Sequence, residues 1–225
     1  VYWFRMLIGR LVGGILGGGD SSSLDTASTD ASTTVKGTGS AYIGGIIGRA
    51  NATDVSNVTS NGKVDGRREI GGIAGYLGGN ITNATNNAIV NVYNDTGSWG
   101  CYSGGIVGNM AGGYTHKNLK NTAAVTCDAK PYTTTDSNGA SYETLAGCAV
   151  LGGLFGHISN HAKGTFISDA ENNGEVTSKA HEAGGIGGLI YTTALSNVKN
   201  TANVSGTSYL GGIFGYYDYV NDVQN

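Results

Sequence analysis

The chain has 225 residues, of which 40 are glycine, one is proline and 13% are charged, and its formal net charge is -3. That charged fraction is about half that of an ordinary globular domain, and no basic run alternates with aromatic residues, so nucleic-acid binding is disfavoured. Lysine is sparse whereas Ser, Thr and Asn are abundant, which favours an extracellular or cell-surface location.

The first predicted element, residues 1–19, is apolar and glycine-rich. Arg5 and Arg10 interrupt it before it reaches the roughly 18 apolar residues that a membrane span needs. Its second half matches an internal repeat, so we interpret it as the first coil of that repeat and not as a targeting segment or membrane span. The chain does not begin with Met, and we expect an upstream portion.

A glycine motif then recurs along the chain. Each copy has a Gly-Gly pair, then Ile or Leu, one variable residue and a further Gly. The pairs begin at Gly13, Gly44, Gly71, Gly104, Gly152, Gly184 and Gly211. Five of the six intervals between these pairs are 27 to 33 residues long, and the sixth is 48 residues long. Such self-similarity indicates a repeat architecture. In these strings Ile46 and Ile73 alternate with variable residues, which predicts a half-buried strand.

A second motif follows five of the seven glycine motifs. It has Asn or Asp at its third place, Gly or Ala at its eighth and Val at its tenth. The copies span Val55–Val64, Ile81–Val90, His116–Val125, Ile167–Val176 and Leu195–Val204, and Thr26–Val35 is a degraded copy. The period-two apolar residues predict a second strand, and polar pairs such as Ser60-Asn61 predict a corner because Asn tolerates left-handed backbone angles.

These two motifs predict an all-β chain, residues 1–225, that forms a single β-solenoid (β-helix). We expect about seven right-handed rungs of roughly 27–33 residues with three short faces, each burying its apolar side only by stacking on its neighbours. The third places of the second motif would then form a structural ladder of hydrogen-bonded side chains along the axis. Its members are Asn57, Asn83, Asn118, Asp169 and Asn197.

The combination of GGI-x-G with a later I-x-N-x-x-N-x-G-x-V resembles the GLUG repeat of bacterial surface and secreted proteins. The resemblance covers about Leu11 to Gly215. This chain differs in having Val, Ala or Leu at the middle of the second motif, where the family often has Cys or Tyr. The resemblance implies a β-solenoid at the cell surface and implies no catalytic residues.

An insertion at about residues 126–147 lengthens one coil, and we predict that it forms a loop that contributes Tyr132 and Tyr142 to a contact surface. Cys127 and Cys148 flank it, and a disulfide between them would close a loop of about twenty residues. Pairing of Cys101 with Cys148 is the alternative, and three reduced thiols are a third.

The last predicted element is a cluster of aromatic residues around one carboxylate. Tyr216, Tyr217, Asp218 and Tyr219 offer rings that stack on sugars, although strand-edge aromatics that pack against a further coil would look the same. Neither terminal region shows a capping helix, so we expect further repeats or other protein chains to stack end to end with this one.

The sequence patterns that could indicate a metal site or a catalytic site are weak. His157 and His161 have the four-residue spacing of a zinc pair but lack its glutamate, and Asp20 after Gly17–Gly19 has no counterpart in the other coils that a calcium repeat would require. No nucleophile lies beside a base, so we predict no catalytic residue, metal or cofactor.

The sequence therefore favours a non-enzymatic extracellular solenoid that serves as a stalk, adhesin or filament segment, with protein chains, further repeats or surface glycans as partners. One alternative is a carbohydrate-binding or carbohydrate-cleaving β-helix, which would show an open groove lined by Tyr with two close carboxylates. Another is an accessory domain of a larger surface enzyme.

Overall fold

The protein is a stack of parallel β-coils in a computed structural model that describes residues 11–39, 41–94, 101–129, 131–135, 137–145, 150–161, 163–179, 182–191 and 193–218. Within these ranges six coils have four strands each, and two further strands belong to a seventh coil. The predicted all-β solenoid is thus confirmed. None of these ranges contains a helix that is long and apolar enough to cross a membrane.

The first three coils run without interruption. Coil 1 contains β1 (Leu11–Gly13), β2 (Leu16–Asp20), β3 (Ser23–Ser28) and β4 (Thr34–Lys36). Coil 2 contains β5 (Tyr42–Gly44), β6 (Ile47–Asn51), β7 (Asp54–Ser60) and β8 (Lys63–Gly66). Coil 3 contains β9 (Glu69–Gly71), β10 (Ala74–Gly78), β11 (Ile81–Asn86) and β12 (Ile89–Asn94).

The later coils include a protruding hairpin. Coil 4 contains β13 (Tyr102–Gly104), β14 (Val107–Met110), β15 (Thr115–Asn121) and β16 (Val125–Ala129), and the hairpin strands β17 (Pro131–Thr135) and β18 (Ser141–Leu145) follow. Coil 5 contains β19 (Val150–Gly152), β20 (Phe155–Ile158), β21 (Thr165–Asn172) and β22 (Val176–Thr177). Coil 6 contains β23 (Glu182–Gly184), β24 (Gly187–Tyr191), β25 (Thr193–Asn200) and β26 (Val204–Ser205), and coil 7 contains β27 (Leu210–Gly211) and β28 (Phe214–Asp218).

Equivalent strands of successive coils pair in parallel, which gives four sheets and not the three faces predicted from the repeat length. Sheet A collects the first strand of each coil, sheet B the second, sheet C the third and sheet D the fourth. The miscount came from the glycine motif. Gly45 and Ile46 form a bend between β5 and β6, so the motif is a corner between two short strands and not one strand.

The apolar interior is divided into two cores. One lies between sheets B and C and contains the buried Ile46 and Ile47, and the other lies between sheets A and D and contains Ile43 and Val64. Sheets A and B therefore meet at a re-entrant corner. There a Cβ on Gly44 would lie 1.9 Å from the carbonyl oxygen of Ile47, so only glycine fits.

The insertion differs from the loop predicted at about 126–147. Residues 126–129 belong to β16, which pairs in register with β12 because that strand is also long. Beyond it, β17 and β18 form an antiparallel hairpin with Pro131 opposite Leu145. The insertion thus extends a solenoid strand before it turns into a hairpin.

Candidate functional site: side-chain ladders, a polar seam and a corner cleft

The residues predicted to form a ladder share one register position on the outer side of sheet C. Asn57, Asn83, Asn118, Asp169 and Asn197 all have positive φ values between 51° and 54°. This left-handed backbone favours Asn and Asp over other non-glycine residues, which accounts for their recurrence. The degraded copy in coil 1 has Thr26 at the same place with φ 56°.

Amide hydrogen bonds connect this outer ladder in two runs. The Nδ2 of Asn118 donates to Asn83 Oδ1 at 2.8 Å, and Asn83 Nδ2 donates to Asn57 Oδ1 at 3.0 Å. Asn57 Nδ2 in turn donates to Asp25 Oδ1 at 2.7 Å. The hydrogen bond from the Ser56 hydroxyl lowers the pKa of Asp25 most, and the one from Asn57 lowers it further. Each run ends on a carboxylate that can only accept.

The second run is short. Asn197 Nδ2 donates to Asp169 Oδ1 at 2.8 Å, and Lys117 Nζ lies 4.0 Å from Asp169 Oδ2. Asp169 therefore breaks the ladder because a carboxylate has no hydrogen to pass to the carbonyl oxygen of Asn118.

A second, buried ladder was missed by the sequence analysis. Asn86, Asn121 and Asn172 are fully buried, and each donates through Nδ2 to the amide oxygen of the next member, ending at Asn200, over 2.7 to 2.8 Å. Each member also bonds the backbone two residues ahead, as Asn86 does with the carbonyl and amide of Ala88. The recurring Asn at the sixth place of the second motif was the available signal.

This inner ladder explains the second glycine of four Gly-Gly pairs, which are Gly72, Gly105, Gly153 and Gly185. A Cβ on Gly72 would lie 2.2 Å from the Asn86 side chain and 2.2 Å from the Gly105 carbonyl oxygen. Gly105 has the same relation to Asn121 and to Gly153 in the next coil. At these positions the glycine motif therefore leaves room for the buried Asn side chain and for the close approach of the next coil's backbone.

The cysteines differ in environment. Cys127 is disulfide-bonded and its side chain is buried between sheets A and D, whereas Cys148 lies outside the described residues. Cys101 is a buried, reduced thiol whose Sγ lies 3.1 Å from the Arg67 carbonyl oxygen. Burial raises the pKa of Cys101 to about 11, so it stays protonated at neutral pH.

Of the tyrosines predicted as a contact surface, the structure describes the side chains of Tyr216 and Tyr217. Tyr132 and Tyr142 lie on the two strands of the hairpin, and the placement of their side chains is outside what the structure describes, as is Tyr219. Tyr217 occupies the row of sheet B that faces the core in earlier coils, opposite Ile190, and it stacks on Phe214. Tyr216 lies on the other side of β28, and Asp218 pairs with Tyr191.

A polar and aromatic seam lines the outer side of the re-entrant corner. Asn109 Nδ2 donates to Glu69 Oε2 at 3.0 Å, and Asn109 Oδ1 lies 2.9 Å from His157 Nδ1. The His157 ring stacks on Tyr102 with centroids 4.5 Å apart. Glu69 and Tyr102 of sheet A each contact a sheet B residue of the following coil, and Asn109 contacts His157 in the next coil of sheet B. The seam therefore runs along the solenoid axis.

Burial shifts the titration of this seam. Desolvation raises the pKa of Glu69 to about 7, against opposing effects of the Asn109 hydrogen bond and of Arg68 and Arg49. Desolvation lowers the pKa of His157 to about 4, so its imidazole is neutral and the proton on Nδ1 can be donated to Asn109. His157, whose four-residue spacing from His161 is that of a zinc pair, contacts Asn109. No group of metal-binding side chains occurs within the described ranges.

A cleft of about 410 Å³ opens at the corner between sheets B and C, where coils 4 to 7 meet. We call it the corner cleft, and it is lined by Gly113, Tyr114, Thr115, Lys163, Gly164, Thr165, Phe166, Thr193, Ala194 and Tyr217. Lys163 and Gly164 come from the connection between β20 and β21, where six residues separate the strands, whereas two residues separate β6 from β7 in coil 2. The longer corner creates the depression beside it.

The corner cleft lies where a row of polar side chains on the outer side of sheet C is replaced by apolar ones. On the outer side of sheet C the first position of the strand is Asp54 in coil 2, and Asn80 reaches it from coil 3 through a 2.9 Å hydrogen bond. Thr115 continues the row in coil 4, but Phe166 and Ala194 follow in register. Phe166 is 41% exposed, so an aromatic ring faces solvent where earlier coils present polar groups.

Comparison with known proteins agrees with the repeat. Residues 39–65, which cover coil 2 except for Gly66 at the end of β8, match the family model described as the GLUG motif. The chain is also similar to halomucin from Haloquadratum walsbyi (strain DSM 16790 / HBSQ001), with 28% identity over 187 residues, or 79% of this chain. The aligned part is 2% of halomucin, so the chain spans a small fraction of that relative. No solved structure matches the chain. The predicted GLUG-like β-solenoid is confirmed.

Proposed function

We propose that this chain is a non-enzymatic, extracellular repeat segment that gives a cell-surface protein a stiff support and an adhesive face. The observation that carries the proposal is the continuous strand register from coil to coil. Sheets A and B pair strand by strand from coil 1 to coil 7, and most polar residues of the outer rows bond to the same position of a neighbouring coil. Side chains engaged in this way stiffen a scaffold and leave few groups for catalysis.

The similarities to known proteins support the proposal of a cell-surface repeat segment. A GLUG motif and similarity to a protein named as a mucin both fit a repeat protein of the cell surface. Further repeats or other chains stacked end to end on the coils belong to the same proposal. The adhesive face would be the outer side of sheet C together with the corner cleft, because these offer a solvent-facing ring, Phe166, amid polar ladders.

A carbohydrate-cleaving enzyme is the weaker candidate. The seam has two carboxylates on the outer side of sheet A, Glu69 and Glu182, but they stand three strands apart. At about 4.8 Å per strand this separation is about 14 Å, beyond the roughly 5 to 10 Å that paired glycosidase carboxylates require. Glu69 is also 8% exposed, which restricts its access to a polymer.

The supporting role is tested by pulling the chain between its ends in single-molecule force spectroscopy. Because each coil contacts mainly its neighbours, we expect a series of unfolding steps that each release about one coil, and repeated extension should reproduce them. A chain that extends without measurable steps would contradict a mechanical role.

The adhesive role is tested separately with beads that carry the chain. Bead retention under flow is measured on glass coated with protein, with acidic polysaccharide or with neutral polysaccharide. Retention on at least one coating beyond that of albumin-coated beads supports adhesion. Equal retention of both kinds of bead on all three coatings contradicts it.

A further inference from the structure

We infer that the corner cleft binds a carboxylated sugar unit of an acidic polysaccharide, with Phe166 as the stacking platform and Lys163 as the cation that meets the carboxylate. The inference deepens the proposed function and rests on its adhesive part. Three features of the cleft lead to it: an exposed ring, an ammonium with no ion-pair partner among the described residues, and hydroxyl groups that form no hydrogen bond to those residues.

The exposed ring supplies the apolar contact. Phe166 is the second residue of β21, on the solvent side, and its register partner on β25 is Ala194, whose side chain is a single methyl group. Pyranose rings present a patch of C–H groups that covers an aromatic face. Tyr217 is 43% exposed and lines the same cleft, so the exposed apolar surface here is a patch and not a single scattered residue. Phe166 has no evident role in the core, because the inward rows of β21 contain Ile167 and Ala170.

The charge of the cleft selects an acidic ligand. Among the described residues that line it, Lys163 is the one charged residue and none carries a carboxylate. The other lysines of the outer sheet C face have anionic neighbours, since Lys117 lies beside Asp169 and both Lys120 and Lys199 lie beside Glu171. Lys163 has no such ion pair within the described ranges, so its ammonium is available to a ligand carboxylate.

The hydroxyl groups divide into two kinds. Thr165 accepts a hydrogen bond from the Gly113 amide and Thr193 donates to the Tyr191 carbonyl, so both hold the shape of the cleft. The hydroxyls of Thr115 and Tyr114 form no hydrogen bond to any part of the protein that the structure describes. They are the groups that sugar hydroxyls can meet.

The geometry favours a saccharide over a peptide. A peptide that adds to a sheet needs a free strand edge, but β21 is paired on one side with β15 and on the other with β25. The volume of about 410 Å³ lies within the range of roughly 300 to 1,000 Å³ for ligand pockets. An open cleft of this size accommodates sugar units of a continuing chain.

The test measures binding of the whole chain to two uronate polysaccharides, hyaluronan and polygalacturonate, by affinity electrophoresis and titration calorimetry. Dextran serves as the neutral polymer and polyglutamate as the acidic peptide. We expect at least one uronate polymer to bind and the other two polymers to bind at least about tenfold more weakly. Phe166→Thr, which installs the residue type of the same row in coil 4, should weaken uronate binding about tenfold.

Lys163→Gln should weaken uronate binding and also flatten its dependence on salt, which loss of a merely structural residue would not do. Ile89→Thr is the matched control, because Ile89 is 45% exposed on sheet D and the same row has Thr34 in coil 1. This control should bind like the unmodified chain.

Several outcomes would overturn the inference. They are failure of both uronate polymers to bind, equal binding of dextran or polyglutamate, and unchanged binding by Phe166→Thr. If the beads described above still adhere to protein-coated glass when both uronates fail, the saccharide site is wrong while the adhesive role stands.

Discussion

Polar side chains inside the solenoid are tolerated when they bond to one another, and the contrast between Asn121 and His116 makes this concrete. Asn121 is fully buried, but its amide has hydrogen-bond partners in the preceding coil, in the following coil and in its own coil. His116 is equally buried in the sheet C row that has Ile81 and Ile167, yet neither ring nitrogen has a partner in the described structure. Burial lowers the pKa of His116 to about 4.

The first prediction concerns His116→Ile, which installs the residue type of its neighbours in the row. An unsatisfied buried polar group costs about 1–3 kcal/mol, so the free energy of unfolding at pH 7 should rise by about that amount. Denaturant unfolding gives the measurement. The control His161→Asn alters an exposed histidine and should change it little. A lower stability of His116→Ile would show that the imidazole has a partner.

The second prediction concerns pH and Glu69. Its folded pKa of about 7 exceeds the ordinary value of 4.5, so the native state binds more protons between these values and stability falls as pH rises through them. His116 and His157 act oppositely, because their folded pKa values of about 4 lie below 6.5 and stability is lost as pH falls through that window. The unmodified chain should therefore show a shallow rise in stability between pH 4.5 and 6.5.

Glu69→Gln should make that rise steeper, because the opposing carboxyl is removed while both histidines remain. The free energy of unfolding measured at half-unit steps of pH gives the slope, with a limit near 1.4 kcal/mol per pH unit for each extra proton. Glu175→Gln, at an exposed corner, should leave the slope unchanged. An unchanged slope in Glu69→Gln would mean that Glu69 is charged throughout this range.

At the scale of elements, the glycine corners link two features that the sequence presents separately. A Cβ at Gly72 would meet both the Asn86 amide and the backbone of coil 4, so neither neighbour can yield cheaply. Gly72→Ala should therefore lower the free energy of unfolding by more than about 3 kcal/mol. Gly212→Ala is the matched change in coil 7, where a Cβ meets nothing within 4 Å, and thermal unfolding should distinguish them clearly. Equal effects of the two substitutions would contradict the close packing at this corner.

The repeat predicted most of the architecture, because its apolar positions recur at the coil spacing. It predicted the buried Val64 and Val90 and placed Asn57 and Asn83 in one row. It failed at the glycine motif, because the alternation expected of one strand would bury only one of Ile46 and Ile47. Both are buried, since Ile46 lies in the corner and Ile47 begins β6. The fourth sheet was missed for the same reason.

The sequence could not predict the candidate site to the same degree. The corner cleft depends on connections that are lengthened in coils 4 and 5 and on apolar residues, Phe166 and Ala194, in an otherwise polar row, and neither feature is part of the repeat. The seam pairs residues 40 and 48 positions apart, Glu69 with Asn109 and Asn109 with His157, whose proximity follows from the corner geometry. Sites that do not share the repeat period leave no periodic signal.

At the scale of the whole molecule, each coil depends on the coils on either side of it. Strands β11 and β15 lie in the middle of sheet C and pair on both sides, whereas β3 and β25 are its outermost described strands. We expect the slowest amide hydrogen exchange in β11 and β15 and faster exchange in β3 and β25. Peptide-resolved hydrogen exchange by mass spectrometry measures this gradient.

Gly72→Ala should speed exchange in coils 2 to 4 much more than in coil 6, because the disturbance passes from neighbour to neighbour. Uniform acceleration along the whole chain would instead indicate that the solenoid opens as a single cooperative unit, and the nearest-neighbour description would have to be abandoned.

The two asparagine ladders point in opposite directions. The buried amides donate toward later coils, from Asn86 to Asn121, whereas the outer amides donate toward earlier coils, from Asn118 to Asn83. Aligned amide dipoles add head to tail, as the peptide units of a helix do. Here two antiparallel rows offset each other, so each added coil contributes little electrical moment along the axis. A solenoid of this kind can grow by copying coils without becoming more strongly polarised at its ends.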